Sequence, residues 1–233
     1  AIGLGAMGMS DFYGHADEAE SAATIDAALD AGITLIDTGD FYGMGHNEML
    51  IGDALKHNSK RDKAILSVKF GAQRGPDGAF MGFAGDAAST KTALAYTLKR
   101  LRVDYIDIYR PARVSPLVPI EETVGAISDL VKAGYVRHVG LSEAGAETIR
   151  RAHKVHPIVD LQIEYSIMTR SVENEILPVL RELGIGLTAY GVLSRGLISE
   201  TTLSGAPIGG FRAHSPRFQG ENFGKNQIGR AHV

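Results

Sequence analysis

The feature that most constrains the fold is a regular alternation of short apolar runs with longer stretches of helical period. Four stretches carry apolar residues at the spacing of one helix face: residues 18–30, 89–101, 121–133 and 172–183. Between them lie seven strand-like runs that end in a small or polar residue: residues 1–7, 33–37, 64–70, 104–109, 136–142, 159–165 and 186–190. The alternation predicts a protein built from repeated strand–helix units.

Strands of this kind have no polar face, so they are expected to be buried on both sides in a parallel sheet covered by helices. The glycine-rich start, GLGAMG, does not lead directly into a helix, which disfavours a Rossmann fold. Composition does not change along residues 1–226, so we predict a single domain there. Seven such units predict an α/β fold, a (β/α)8 TIM barrel that lacks its last β/α unit.

The last seven residues, 227–233, show neither helical nor strand period. Their sequence, QIGRAHV, ends in a hexapeptide that one frame of a widely used sequencing adapter also encodes. We therefore expect residues 227–233 to be a non-native tail.

Composition narrows the partners and the compartment. A net charge of −3 without any basic run gives no reason to expect a nucleic-acid partner. The sequence has no cysteine, no apolar run long enough for a membrane helix and no secretory signal, so we expect a cytoplasmic protein without a membrane partner. No set of histidine and acidic residues has metal-ligand spacing, so no metal is predicted. Oligomeric state stays open.

In a parallel barrel, chemistry is expected at the carboxyl ends of the strands. The chain places polar and aromatic residues there: Asp37, Tyr42, Lys69, Arg110, Arg113, Ser142, Glu143, Gln162, Tyr165 and Tyr190. These residues are expected to converge on one mouth.

Asp37, Tyr42 and Lys69 form the sharpest candidate constellation. A phenol has a pKa near 10, too high for a proton donor that recycles at neutral pH, and a neighbouring ammonium lowers it. A carboxylate would hold that ammonium in place. Taken singly, each residue has an ordinary structural interpretation: a turn aspartate, a strand-end lysine or a half-buried tyrosine.

These motifs resemble the aldo-keto reductase family over about residues 1–226. The stretches that carry the resemblance are LIDTGDFYGMGHNEMLIGDAL, LSVKFG, the block around VDYIDIYRPARVSPLVPIEETV, LQIEYSIMTR and AYGVLSRGLIS. The resemblance implies a barrel that reduces aldehydes or ketones with NAD(P)H, NADPH more than NADH.

By this resemblance each candidate acquires a role. Tyr42 would be the general acid, tuned by Lys69 and Asp37. The residues expected to contact the cofactor are Ser142 and Gln162 at the nicotinamide carboxamide, Tyr190 stacked on the ring, and Ser194, Arg195, Gly196 and Leu197 along the pyrophosphate.

The chain departs from the family pattern at three places. Ala112 stands where a histidine is usual, and we expect Arg110, on the same strand face, to supply the missing hydrogen-bond donor. Glu143 replaces a common asparagine at the carboxamide. The segment that contacts the adenosine 2′-phosphate is not found in this sequence, which leaves the preference between NADP and NAD open.

Two other functions stay open at this point. A cofactor-binding regulatory or sensor subunit of the same fold would not need the histidine that Ala112 replaces. A barrel lyase would use Lys69 to form a Schiff base. The substrate is expected to be a small carbonyl compound that the sequence does not name.

Overall fold

The structure is a computed structural model that describes residues 1–199 and 210–230. Its strands are β1 (Leu4–Gly5), β2 (Leu35–Gly39), β3 (Ile65–Phe70), β4 (Ala72–Arg74), β5 (Phe80–Phe83), β6 (Ile106–Pro111), β7 (Val136–Ser142), β8 (Ile158–Glu164) and β9 (Gly186–Tyr190). Seven of them form one parallel sheet in the order β1-β2-β3-β6-β7-β8-β9. All seven predicted strands are present; the first is the shortest, because the chain turns into a 3-10 helix at Met7–Met9.

The sheet curls on itself. Gln162 on β8 and Asp37 on β2 are four positions apart in the strand order, which in a flat sheet would separate them by about 19 Å. Their side chains are nevertheless hydrogen-bonded at 2.8 Å. The inward faces of the strands therefore enclose a common interior, as a (β/α)8 barrel requires.

Seven helices occupy the described residues: α1 (Glu18–Asp30), α2 (His46–Asn58), α3 (Ala87–Leu101), α4 (Ile120–Lys132), α5 (Ala146–Val155), α6 (Ile176–Leu183) and α7 (Gly220–Arg230). Helices α1 to α6 pack side by side in chain order and bury their apolar faces on the strands. Asp17 and Asp86 cap α1 and α3 by accepting backbone N–H bonds of 2.8 and 2.9 Å.

Two helices between strands and one hairpin were not predicted. Helices α2 and α5 each connect two strands of the sheet. Helix α2 buries Leu50, Ile51, Ala54 and Leu55, and this apolar spacing is visible in the sequence. Strands β4 and β5 form an antiparallel hairpin after β3. Its turn contains the sequence Pro76-Asp77-Gly78, with Gly78 at φ +79°, a conformation that glycine adopts without strain.

The C-terminal part also differs from expectation. The backbone is helical through Arg230, although residues 227–230 were predicted to lack regular structure. Two contacts hold this helix near its start. The rings of Phe223 and Phe218 have centroids 6.3 Å apart, and Asn226 Nδ2 donates to Arg217 O at 2.9 Å. Residues 231–233 of the expected tail lie outside the described residues. Strands β1 and β9 are the sheet edges in the described part, and the missing eighth unit stays a prediction.

Within residues 1–199 and 210–230, no helix combines the length and the apolar character needed to cross a bilayer.

Candidate active site

A cavity of about 600 Å³ opens where the central strands end. The sequence-predicted residues that line it are Asp37, Tyr42, Lys69, Ser142, Gln162, Tyr190 and Arg195, together with Ala112. These residues come from β2, β3, β6, β7, β8 and β9 and from the segments that follow them. The barrel thus brings together, at its carboxyl end, side chains that are far apart in the sequence.

Asp37 is the hub of the polar wall. Its Oδ1 pairs with Lys69 Nζ, and its Oδ2 accepts hydrogen bonds from Ser67 Oγ and Gln162 Nε2, both at 2.8 Å. Burial acts to raise the pKa of Asp37, but Lys69 and Arg110 outweigh it and hold that pKa below its ordinary value. Asp37 is therefore a carboxylate at neutral pH, held by three neighbours.

Lys69 lies between this carboxylate and the phenol of Tyr42. Its Nζ is 5.2 Å from the centre of the Tyr42 ring. Burial lowers the pKa of Lys69, and the charge of Asp37 opposes that shift. The ion pair with Asp37 favours the ammonium form at this position.

Tyr42 follows β2 and begins a 3-10 turn, Tyr42–Gly45. The three residues of this turn that come after Tyr42 all have positive φ. Met44 adopts this left-handed conformation at φ +54°, an arrangement that costs an ordinary residue about 1–2 kcal/mol. Asp11 Oδ2 accepts from Gly43 N at 3.3 Å and braces the turn. The strained turn leaves Tyr42 buried in the cavity wall, with only 7% of the residue exposed.

The environment of Tyr42 corrects one expectation. Lys69 was expected to bring the phenol's pKa down toward 7. Instead, burial and then the charge of Asp37 raise the pKa of Tyr42 above its ordinary value, and Arg113 opposes them. Burial is the largest cause, because it disfavours the charged phenolate, and the negative charge of Asp37 acts in the same direction. The phenol consequently stays protonated at neutral pH.

Arg110 does not lie where the sequence suggested. It was expected at the mouth as a donor, but it is fully buried and is not among the cavity-lining residues. Its Nη2 pairs with Asp160 Oδ1 at 2.9 Å and donates to Ser67 Oγ at 2.9 Å. Gly140 leaves room for this pair, because a Cβ there would lie 2.7 Å from Asp160 Oδ1. Arg110 points inward as predicted, but deeper in the barrel.

The cation that does face the cavity beside Ala112 is Arg113, which was noted at the strand end but assigned no role. Ala112 is 1% exposed, and its carbonyl oxygen accepts from Arg113 Nη1 at 2.6 Å. The signal available in the sequence was the position of Arg113 directly after Ala112, at the end of β6.

The wall opposite Tyr42 suits a flat amide-bearing ligand. Ser142 Oγ is buried there without a hydrogen-bond partner in the described structure, and it lines the cavity. Gln162 Nε2 is engaged by Asp37, so its amide oxygen is the atom left to accept a further bond. An orphaned hydroxyl beside an amide oxygen fits a nicotinamide carboxamide, which both donates and accepts.

Tyr190 and Glu143 are linked. Tyr190 OH donates to Glu143 Oε1 at 2.7 Å, and the same oxygen accepts from Glu164 N at 3.0 Å. Glu143 has φ +51°, a left-handed conformation that asparagine adopts more readily than glutamate. Tyr190 lines the cavity, whereas Glu143 does not. Glu143 therefore contacts the site only through Tyr190.

The predicted pyrophosphate residues, Ser194 to Leu197, form a tight turn at the end of the described segment. Ser194 and Leu197 are buried, and Ser194 Oγ bonds Ser166 Oγ at 3.1 Å. The backbone N–H groups of Ser194, Gly196 and Leu197 donate within the turn itself. Arg195 is the member that lines the cavity, where its Nη2 lies 4.0 Å from Glu164 Oε2.

The hairpin and the loop after β1 complete the rim. Phe80 and Phe83 from the hairpin and Phe12 from the loop all line the cavity. Arg74 Nη2 pairs with Asp11 Oδ2 at 2.5 Å and so joins hairpin to loop. The hairpin residues of this rim were not predicted, because the hairpin itself was not predicted.

Within the described ranges, no group of three or more histidine and acidic side chains is placed to hold a metal ion.

Comparison with known proteins gives one consistent result. The sequence model described as the aldo/keto reductase family matches residues 1–227. A curated relative, probable aldo-keto reductase 1 from Glycine max, is 44% identical over 230 residues. The match covers 97% of this chain and 65% of that relative, so the chain spans less than two thirds of the relative's length.

Two solved structures share the fold. A glycerol dehydrogenase from Gluconobacter oxydans superposes with a TM-score of 0.87 at 28% identity, covering 99% of this chain and 72% of that one. An aldo-keto reductase from Bacillus halodurans, in its holo form, gives a TM-score of 0.76 at 32% identity, covering 89% and 65%.

Proposed function

The chain belongs to the aldo/keto reductase family, and on that premise we propose that it reduces aldehydes or ketones to alcohols with NAD(P)H, with Tyr42 as proton donor. The observation that carries the proposal is that Tyr42 shares one cavity wall with the buried Asp37–Lys69 ion pair. NAD(P)H, when bound, supplies the hydride that goes to the carbonyl carbon.

Tyr42 provides the proton that the carbonyl oxygen takes up. Its raised pKa keeps the phenol protonated before the reaction. When the proton leaves, the phenolate that remains needs a positive neighbour, and the ammonium of Lys69 lies 5.2 Å from the ring centre. Solvent at the open mouth of the cavity can then return the proton to Tyr42.

Asp37 keeps Lys69 in position and charged. Because Asp37 also accepts from Ser67 and Gln162, its carboxylate is fixed from several directions. An ammonium held in such an ion pair is a poor nucleophile, so this arrangement argues against a Schiff-base lyase that uses Lys69.

For the cofactor, Ser142 and Gln162 would hold the carboxamide of the nicotinamide, and Tyr190 would face its ring. Glu143 would act indirectly, by fixing the Tyr190 hydroxyl at 2.7 Å. Arg195 would face the phosphates from the turn Ser194–Gly196. We propose NADPH rather than NADH, in a cytoplasmic enzyme that acts on small carbonyl compounds.

A second candidate, a cofactor-binding sensor with little turnover, is favoured by one observation. Ala112 in the cavity wall carries no hydrogen-bonding group, so no side chain at that position can polarise a carbonyl. The buried Tyr42–Lys69–Asp37 set weighs against this candidate, because binding a cofactor does not require a positioned acid.

The test measures oxidation of NADPH with a panel of aldehydes and, separately, NADPH binding by fluorescence. Tyr42→Phe is expected to lower kcat/KM by about 10²–10⁴-fold while the Kd for NADPH stays within twofold. Tyr135→Phe, an exposed tyrosine before β7, is the matched control.

Equal turnover by the two variants would remove Tyr42 as the acid. Tight NADPH binding without turnover on any aldehyde, in the unmodified protein as well, would favour the sensor. A tighter Kd for NADH than for NADPH would reverse the cofactor preference.

A further inference from the structure

The charges that line the cavity are unbalanced. Among the described residues, four lining side chains are cationic and only one is acidic: Lys69, Arg74, Arg113 and Arg195 against Asp37. The excess of positive charge can be assigned to particular residues, because not every one of the four cations has an acidic partner.

Three of the cations have an acidic partner. Lys69 pairs with Asp37, Arg74 with Asp11 at 2.5 Å, and Arg195 lies 4.0 Å from Glu164. Arg113 lies within 4.0 Å of no carboxylate in the part of the chain that the structure describes. Its charge therefore faces the cavity uncompensated.

One edge of the Arg113 guanidinium is already fixed. Nη1 donates to Ala112 O at 2.6 Å, which leaves the edge formed by Nε and Nη2 to donate further bonds. Two parallel N–H groups match the two oxygens of a carboxylate, and such charge-assisted pairs are among the stronger hydrogen bonds.

Arg113 also lies close enough to the reacting group to matter. Its charge acts on the phenols of Tyr42 and Tyr190 and on Lys69. Arg113, Ala112 and Tyr42 line the same cavity, and the methyl group of Ala112 offers no hydrogen bond that would compete for a ligand there. A group bound by Arg113 would thus belong to the same molecule as the carbonyl that Tyr42 protonates.

We propose that Arg113 binds a carboxylate on the substrate, so that the substrate class is carbonyl compounds that also carry a carboxylate. This inference rests on the proposed function. The rim of Phe12, Phe80 and Phe83 would pack on the carbon skeleton between the two groups.

The experiment compares two aldehydes of nearly the same shape, 4-carboxybenzaldehyde and its methyl ester, as substrates with NADPH. The unmodified protein is expected to favour the acid in kcat/KM. Arg113→Gln is expected to lower the acid-to-ester ratio of kcat/KM by about tenfold to a hundredfold, chiefly through KM. Arg113→Lys should keep part of the preference, since an ammonium keeps the charge but loses the fork. Arg137→Gln, an exposed arginine at the start of β7, is the control and should keep the ratio.

Three outcomes would overturn the inference: an unchanged ratio in Arg113→Gln, an equal loss for acid and ester, or a weaker Kd for NADPH with the ratio preserved. The second outcome would assign Arg113 to the carbonyl, and the third to the cofactor. Calorimetry with 4-(hydroxymethyl)benzoate separates this inference from the proposed function. Binding that depends on Arg113 in a protein that reduces neither aldehyde would support the carboxylate site and reject the reductase, whereas no Arg113-dependent binding would reject the site.

Discussion

Two buried ion pairs lie inside the barrel, and they differ in whether they face the cavity. Asp37–Lys69 forms part of the cavity wall, whereas Arg110–Asp160 is enclosed by the strands, with Arg110 fully buried. Ser67 Oγ connects the pairs: it donates to Asp37 and accepts from Arg110. Lys69 and Arg110 are register partners on neighbouring strands, yet their ion pairs have different surroundings.

The surroundings of an ion pair determine which property of the protein it can affect. A pair that faces a cavity can act on a ligand, and water can reach it when one partner is removed. A pair that is enclosed touches no ligand, and removal of one partner leaves a charge that neither water nor ligand compensates. We expect the first pair to govern the reaction rate and the second to govern stability.

The largest effect is expected from Lys69→Met. It removes the ammonium next to Tyr42, so turnover should fall by about 10²–10⁴-fold. The loss of unfolding free energy should be smaller than for the enclosed pair, because Asp37 keeps its bonds to Ser67 and Gln162. NADPH-dependent reduction and urea unfolding are measured on the same preparation, with Lys63→Met, an exposed lysine, as control. Near-normal turnover together with a large loss of unfolding free energy would assign the Asp37–Lys69 pair to stability and not to the reaction rate.

Arg110→Met is expected to destabilise the protein by about 3–5 kcal/mol, since it leaves Asp160 buried and unpaired. Turnover per folded molecule should change by no more than about threefold. The control is Arg150→Met, which removes an exposed pair with Glu182 and should cost about 1 kcal/mol or less.

The double variant Arg110→Met/Asp160→Leu sharpens this prediction. Replacing both charges by apolar groups should recover most of the stability lost in the single variant. A collapse of turnover in folded Arg110→Met protein would instead return Arg110 to the reaction, as the sequence first suggested.

A third buried carboxylate, Asp40, tests whether a neighbouring cation sets the pKa of a buried carboxyl group. Asp40 has no ion-pair partner within 4.0 Å in the described structure; its Oδ1 is buried without a hydrogen bond, and its Oδ2 accepts from Gly71 N at 3.3 Å. It lines a second cavity, of about 480 Å³, between the hairpin and α3. Burial and then the charge of Glu48 raise the pKa of Asp40 to about 7, the opposite of the shift at Asp37.

The smallest effect, and the one that depends on pH, is expected from Asp40→Asn. Folded protein keeps the Asp40 proton to about pH 7, whereas unfolded chain releases it near 3.8, so the free energy of unfolding should fall as pH rises through this window. The fall from this residue is at most about 4 kcal/mol. Asp40→Asn should flatten the profile in part, because the pKa of Glu48 is raised as well.

Urea unfolding between pH 4 and pH 8 measures that profile, with exposed Asp62→Asn as the control. A slope that Asp40→Asn leaves unchanged would show that Asp40 is ionised throughout, like Asp37.

The repeating architecture and the residues at the strand ends could be predicted from the amino-acid sequence. All seven central strands and four of the helices follow from apolar spacing, because that spacing depends only on which side of an element is buried. The same logic was enough to bring Asp37, Tyr42 and Lys69 to one edge, since parallel strands end together.

Other elements were predictable but were not predicted. The apolar spacing of α2 and the turn sequence Pro76-Asp77-Gly78 of the hairpin are local signals. Because the hairpin was omitted, the part of the rim that carries Arg74, Phe80 and Phe83 was not predicted.

The depth of a side chain in the barrel and the charge around it could not be predicted, because both depend on contacts between distant parts of the chain. Periodicity tells that Arg110 points inward, but how far along the barrel it reaches depends on the tilt and stagger of neighbouring strands and on the space beside Gly140. The pKa of Tyr42 likewise depends on burial, Asp37 and Arg113 acting together, which no spacing in the sequence encodes. Arg113 became the cation of interest because its neighbours in space, unlike those of the other cavity cations, include no carboxylate in the described structure.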